Sequence, residues 1–235
     1  TPLSLAATSG SEASAQLFLR TRDVNPNSRD NTDRPPIPWA AANDRGDMMD
    51  AFLAAPFVDP NLADGDCRTL ISWACGNCSS SIDLRRLLDQ PGLILHQPYN
   101  SGRTPLSWGA EGERDDVLDM LLVLDDTDME VPDNSGRTPL SWAGERGRKD
   151  AVRLLPDRGT DNADTPDCNG RTALSRAAGS GLHRGLKLFL IRRDVNLRSR
   201  DHSGNTPFGY VHQSGRWEAV RWVREAIGKR YHWTW

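Results

Sequence analysis

The chain has no long apolar run. No clean stretch is longer than the five residues Met120 to Leu124, far short of the roughly 20 residues a helix needs to cross a bilayer, so no membrane contact is expected. The N-terminus carries no basic segment followed by an apolar stretch, so no secretory signal is visible. Cysteine is scarce: four residues at irregular places make no disulfide framework and predict a reduced, intracellular setting, cytoplasmic or nuclear. A basic excess is also missing. With 29 Lys and Arg against 32 Asp and Glu, a net charge of -3, non-specific nucleic-acid binding lacks its electrostatic basis. There is no nucleophile elbow, phosphate loop or His-Glu-x-x-His motif, and no cofactor is called for.

What the chain does have is a repeat. Gly136-Arg137-Thr138-Pro139-Leu140-Ser141-Trp142 recurs in near-copies, with Pro2, Pro36, Leu70, Pro105, Pro139, Ala173 and Pro207 at one equivalent place and steps of 34, 34, 35, 34, 34 and 34 residues. Self-similarity at such a period marks a stack of units rather than one closed core. The units run about 1–29, 30–63, 64–98, 99–132, 133–166, 167–200 and 201–235, in a single domain. Thr1 opens inside a unit, which predicts residues upstream of it.

Each unit reads as turn, short helix, tight loop, longer helix. In the fifth, Asp133-Asn134-Ser135-Gly136 is a turn signature, Thr138 an N-cap and Pro139 the first helical residue. Gly147 is placed to end that helix in the left-handed conformation. A second helix begins at Lys149, with Ala151, Val152, Leu154 and Leu155 inward, and Pro156 is expected to cut it short. The second unit has Pro35-Pro36-Ile37-Pro38 and no Thr cap, so its helix is expected to start late. The third carries the extra residue and Ser79-Ser80-Ser81 in place of a Gly loop. The last leads into a helix from about Trp217 to Ile227, whose Arg216, Glu218, Arg221 and Arg224 supply a polar outer face. The aromatic tail Tyr231-His232-Trp233-Thr234-Trp235 predicts either a fold-back onto the seventh unit or a contact with something else.

Asp-x-x-Gly-x-Thr-Pro-Leu-x-x-Ala, a Gly-centred loop, a Leu-rich helix and a closing Asp-Val-Asn resemble the ankyrin repeat, over the whole chain. The resemblance implies an all-α solenoid of helix-turn-helix units with short hairpin-like turns. It also implies a concave groove lined by turn tips and the exposed part of each first helix. The family's usual His after Thr-Pro-Leu is here Ser4, Ser72, Ser107, Ser141 and Ser175, so its inter-repeat hydrogen bonds must be met in another way.

Three ladders follow the period. Trp39, Trp73, Trp108 and Trp142 share one helix position, with Leu5, Arg176 and Tyr210 in the other copies; they suit either packing between repeats or a stacking stripe for bases or sugars. Asp30, Asp64, Asp133, Asp167 and Asp201 open the turns, with Tyr99 the exception, and fit turn capping better than acid–base work. Arg34, Arg68, Arg103, Arg137 and Arg171 precede the Thr-Pro pair and either fork onto a partner's carboxylates or phosphates or pair with acids of the next repeat. Cys75-x-x-Cys78 with Cys67 and His96 could ligate zinc, though Cys75 takes the place of a buried small Ala in the ankyrin pattern, and no metal site is assigned. Charge is uneven along the chain. From Glu111 to Asp133 ten acidic residues face one Arg, and from Leu182 to Arg230 eleven basic residues face four acidic ones.

The expected function is a protein-protein interaction module that holds a protein or peptide, with a small molecule as a further possibility, in the concave groove across repeats four to seven. The candidate binding residues are Arg103, Glu111, Arg137, Glu145, Arg171, His202, Tyr210, His212 and Gln213. His202 and His212, with Asp201, Tyr210 and Gln213, would form a compact polar cluster at its C-terminal end. The alternative is an enzyme on the same scaffold, of cyclase or isomerase type, acting on a small natural product; it would need an enclosed aromatic cavity with one or two titratable groups.

Overall fold

The computed structural model describes residues 1–77, 84–112, 115–124, 130–157 and 162–231. Among them every regular element is helical, and the helices come in pairs. The chain divides into two compact units, Thr1–Trp108 and Gly109–Trp235.

The first unit holds α1 (Pro2–Ser9), α2 (Glu12–Arg20), α3 (Pro36–Ala42), α4 (Gly46–Leu53), α5 (Leu70–Asn77), α6 (Leu84–Leu88) and the start of α7 (Pro105–Glu111). Here α1 packs on α3 and α3 on α5, while α2 packs on α4. The close row of first helices is made possible by small side chains: Ala7, Ala40, Ala41 and Ala74 are fully buried. Bulk comes from the second helices, where Met48, Met49 and Phe52 of α4 are buried. Burying such a side chain stabilises by about 1.5–3 kcal/mol.

The second unit holds α8 (Asp115–Leu122), α9 (Pro139–Glu145), α10 (Lys149–Asp157), α11 (Ala173–Ser180), α12 (His183–Ile191), α13 (Pro207–Gln213) and α14 (Trp217–Tyr231). The same plan recurs: α9, α11 and α13 form one row and α8, α10, α12 and α14 the other. Val152, Leu155, Leu186, Phe189, Val211 and Val223 fill the space between.

Every first helix starts at the residue the period marks. Thr1, Thr138, Thr172 and Thr206 cap theirs, each hydroxyl accepting from the backbone N–H three residues on, at 3.0–3.3 Å. The serine after Thr-Pro-Leu turns to the cap, with Thr138 Oγ1 3.3 Å from Ser141 Oγ. Between repeats the turns are joined by backbone bonds, Cys168 N–H to Ser135 O and His202 N–H to Asn169 O, both 2.9 Å, and the loops after the second helices by side chains such as Asn27 and Asn61.

Three expectations are corrected. α3 does not start late: it begins at Pro36, with Pro35 as N-cap, because prolines at the first and third helical positions lack N–H groups that would be unbonded there anyway. Pro156 does not shorten α10, which runs to Asp157; so near the C-terminal end the missing donor removes a single helical bond. The last helix extends one turn past Ile227 to Tyr231. Elsewhere Gly147 does follow the end of α9 at φ 65°. Ala151, Val152 and Leu155 face inward, with Leu154 only half-buried. The Ser79–Ser81 run and the tail from His232 to Trp235 lie outside the described residues.

Candidate functional site

The turns that open with Asp30, Asp64, Asp133, Asp167 and Asp201 are built on that aspartate. One carboxylate oxygen of Asp133 accepts the N–H of Ser135 at 2.8 Å and of Arg137 at 2.9 Å. Asp64 holds Asp66 and Arg68 in the same way, Asp167 holds Asn169 and Arg171, and Asp201 holds Ser203 and Asn205. The second oxygen takes a donor from the helix residue nine positions on. Trp39 Nε1–H donates to Asp30 at 2.6 Å, Trp73 to Asp64 at 3.0 Å and Trp142 to Asp133 at 3.1 Å. Where the helix position is not Trp, the replacement is again a donor: Arg176 Nε–H to Asp167 at 2.9 Å, and the Tyr210 hydroxyl to Asp201. The tryptophans are therefore neither purely apolar core nor an open stacking stripe. The N–H edges of Trp39, Trp73 and Trp142 lock turn to helix, a role that sequence reasoning missed although Asp and donor stand at a fixed spacing of nine.

The arginine ladder lies over these rings. Arg34 stands 4.2 Å from the ring centres of both Trp39 and Trp73, Arg137 stands 4.6 Å from Trp142 and Arg171 stands 4.8 Å from Tyr210. A cation so placed gains about 0.5–2 kcal/mol. Arg34 and Arg171 also face the next turn's aspartate, Asp64 at 3.8 Å and Asp201 at 3.7 Å.

This electrostatic setting moves the acids. Burial alone would raise Asp30, but hydrogen bonds from Thr32, Trp39 and the backbone outweigh it and hold the carboxyl at about 2. Asp167 is likewise lowered against its burial, chiefly by Arg176. The Tyr210 hydroxyl holds Asp201 low, while burial and that same bond push Tyr210 up.

The structure joins some candidate residues and separates others. Arg103 lies in the first unit, 7% exposed, with its guanidinium 3.7 Å from the Trp108 ring. Glu111 ends α7 and receives Arg146 at 2.6 Å. Arg137 and Glu145 come together at 3.1 Å, and Glu145 also faces Arg176 at 3.7 Å. Arg171 and Tyr210 converge on Asp201. His202 sits exposed at a turn tip, His212 meets Trp217 edge-on at 5.7 Å, and Gln213 is exposed at the end of α13. Of the expected compact cluster, Tyr210 is bound to Asp201, and His212 turns to Trp217 of α14. Cys75 is buried and Cys67 half-buried, Cys78 lies outside the described residues, and no metal-holding group of three or more His, Cys, Asp or Glu occurs among the described residues. None of the described helices is long and apolar enough to cross a membrane.

Residues 121–201 match the family model for ankyrin repeats (3 copies). The chain is similar in structure to the ankyrin repeat domain of Bcl-3, described as a unique member of the IkappaB protein family. The TM-score is 0.73 at 24% identity, covering 95% of this chain and 98% of that one. At this identity the likeness bears on fold alone. Among curated proteins none matches the chain in sequence.

Proposed function

From the ankyrin-repeat match of residues 121–201 and the ankyrin-repeat fold, we propose that the chain acts as a protein-interaction module and that a partner polypeptide binds along the turn tips and first helices of the last three repeats, from Asp133 to Gln213. The observation that carries this reading is the register of the tips: main-chain bonds from Cys168 to Ser135 and from His202 to Asn169 tie each turn to the one before. Asn134, Asn169 and His202 are left exposed on that frame. Rigid presentation lowers the ordering cost of association. Arg137, Glu145, Arg171 and Tyr210 are already paired within the protein and serve mainly to hold the frame, while His202, His212 and Gln213 offer free polar edges. Arg103, nine-tenths buried in the first unit, is left out of the surface for that reason.

The test is a pull-down with the full chain, followed by hydrogen exchange of the recovered complex. Protection at 133–137, 167–171 and 201–205, and loss of binding in an Asn134→Ala, Asn169→Ala, His202→Ala variant that keeps its melting temperature, are the expected results. Protection confined to α10, α12 and α14 would contradict the reading. No observation favours the enzyme alternative: the cleft lined by Lys187, Trp222 and Glu225 is open, and Glu225 is the only carboxylate in its described lining.

A further inference from the structure

That cleft lies between α12 and α14 in the second helix row, away from the turn tips. We infer that it is a binding site for a small amphipathic anion, an apolar aryl or alkyl body bearing a carboxylate or phosphate head. Its volume is about 810 Å3, within the roughly 300–1,000 Å3 of small-molecule sites. The walls combine Leu190, Ile191, Trp222 and Ala226 with four cations and one carboxylate.

The cations are not equivalent. Arg230 is committed to structure: its guanidinium donates to the carbonyls of Leu190, Arg192 and Val195 and closes the C-terminal end of α12. Lys187 holds its ammonium 3.9 Å from the Trp222 ring centre. Glu225, the only acid in the lining, faces Arg221 at 3.6 Å. That leaves Arg193 and Lys229, both exposed and neither in an ion pair with another described residue. Beside them Ile191 is 75% exposed, an aliphatic side chain at an uncovered cleft wall. Cations that no described acid pairs with, next to an uncovered apolar wall, match a ligand with one negative end and one apolar end. The cleft is formed by helices that do not carry the turn tips, so this inference is independent of the proposed partner surface.

Calorimetric titration of the full chain with 2-naphthoate and with uncharged 2-naphthamide tests it. Naphthoate is expected to bind at least tenfold more tightly than the amide, and an Arg193→Glu, Lys229→Glu variant is expected to lose at least tenfold in naphthoate affinity while its circular dichroism and melting temperature stay as in the parent. Arg153→Glu, an exposed charge reversal on α10 away from the cleft and half the charge change of the double variant, should leave affinity intact. Equal binding of amide and naphthoate, no binding at millimolar concentration, or naphthoate affinity unchanged in the double variant would each overturn the assignment. So would displacement of naphthoate by an acidic peptide at lower concentration than naphthoate itself, since that would make the cleft a polypeptide docking site.

Discussion

Arg176 occupies the helix position that Trp holds in four other repeats, and its guanidinium donates to Asp167 as the indoles of Trp73 and Trp142 donate to their own turn aspartates. Side-chain exposure is 8% for Arg176 and zero for Asp167, so the pair is buried. Removing one member of a buried pair leaves an uncompensated charge and costs about 3–5 kcal/mol. Arg176→Ala is therefore expected to lower unfolding free energy by that amount. Arg176→Trp supplies the donor that Asp64 and Asp133 already use, and is expected to recover most of the loss. Chemical denaturation distinguishes the cases; equal damage from both would show that the two donors are not interchangeable here.

Tyr99 breaks the aspartate ladder, and its consequence falls on Trp108. The Trp108 Nε1–H is buried with no acceptor, while Tyr99 turns its hydroxyl to accept from Arg68 at 2.8 Å. Trp73→Phe strips a bond from buried Asp64 and is expected to cost about 1–3 kcal/mol. Trp108→Phe removes a donor that bonds to nothing and is expected to be close to neutral. A Trp108→Phe loss as large as that of Trp73→Phe would refute the assignment.

The turn aspartates also set the acid limit of the fold. Asp30, Asp167 and Asp201 have folded-state pKa values below their ordinary range, against about 3.9 for an unfolded Asp. The folded state then binds fewer protons, so stability from these groups is fully present above about pH 4 and is lost as pH falls towards about 2. Asp115 works in the opposite sense: burial and the neighbouring Asp150, Asp119 and Asp116 raise it, so its ionisation opposes folding. Thermal melts from pH 7 to 2 should fall most steeply below pH 4. Asp115→Asn should raise stability at pH 7 by about 0.2–0.5 kcal/mol, the size of a relieved surface like-charge contact.

Much of this was legible in the chain. The period marked all seven first-helix starts, although the second was expected to be late, and the turn aspartates at Asp30, Asp64, Asp133, Asp167 and Asp201 read correctly as caps, because both depend on local backbone chemistry repeated at fixed spacing. What was not legible depends on which partner a side chain chooses. Arg137 could have faced outward, but Trp142 and Glu145 are nearer and hold it. The prolines of the second repeat read as a delay because their number was weighed rather than their position in the first turn. The cleft between α12 and α14 had no sequence signature, since Lys187, Arg193 and Lys229 look like solvated helix charge until the two helices are set side by side.

Gly170 and Gly204 stand at equivalent turn positions with φ of +77° and +79°, yet they differ in surroundings. A Cβ on Gly170 would lie 2.7 Å from the His202 ring and 2.9 Å from His202 N, whereas one on Gly204 would meet nothing within 4 Å. Both substitutions to Ala pay the left-handed strain of about 1–2 kcal/mol. Only Gly170→Ala must also displace the next turn, whose His202 N–H is bonded to Asn169 O at 2.9 Å. Gly170→Ala is therefore expected to destabilise more than Gly204→Ala and to speed hydrogen exchange at His202, leaving exchange at Ser135 as it was. If binding depends on tips held in register, Gly170→Ala should weaken partner affinity while Gly204→Ala leaves it nearly intact. Equal stability losses and equal exchange at His202 in the two variants would show that the bond between turns does not constrain the tips.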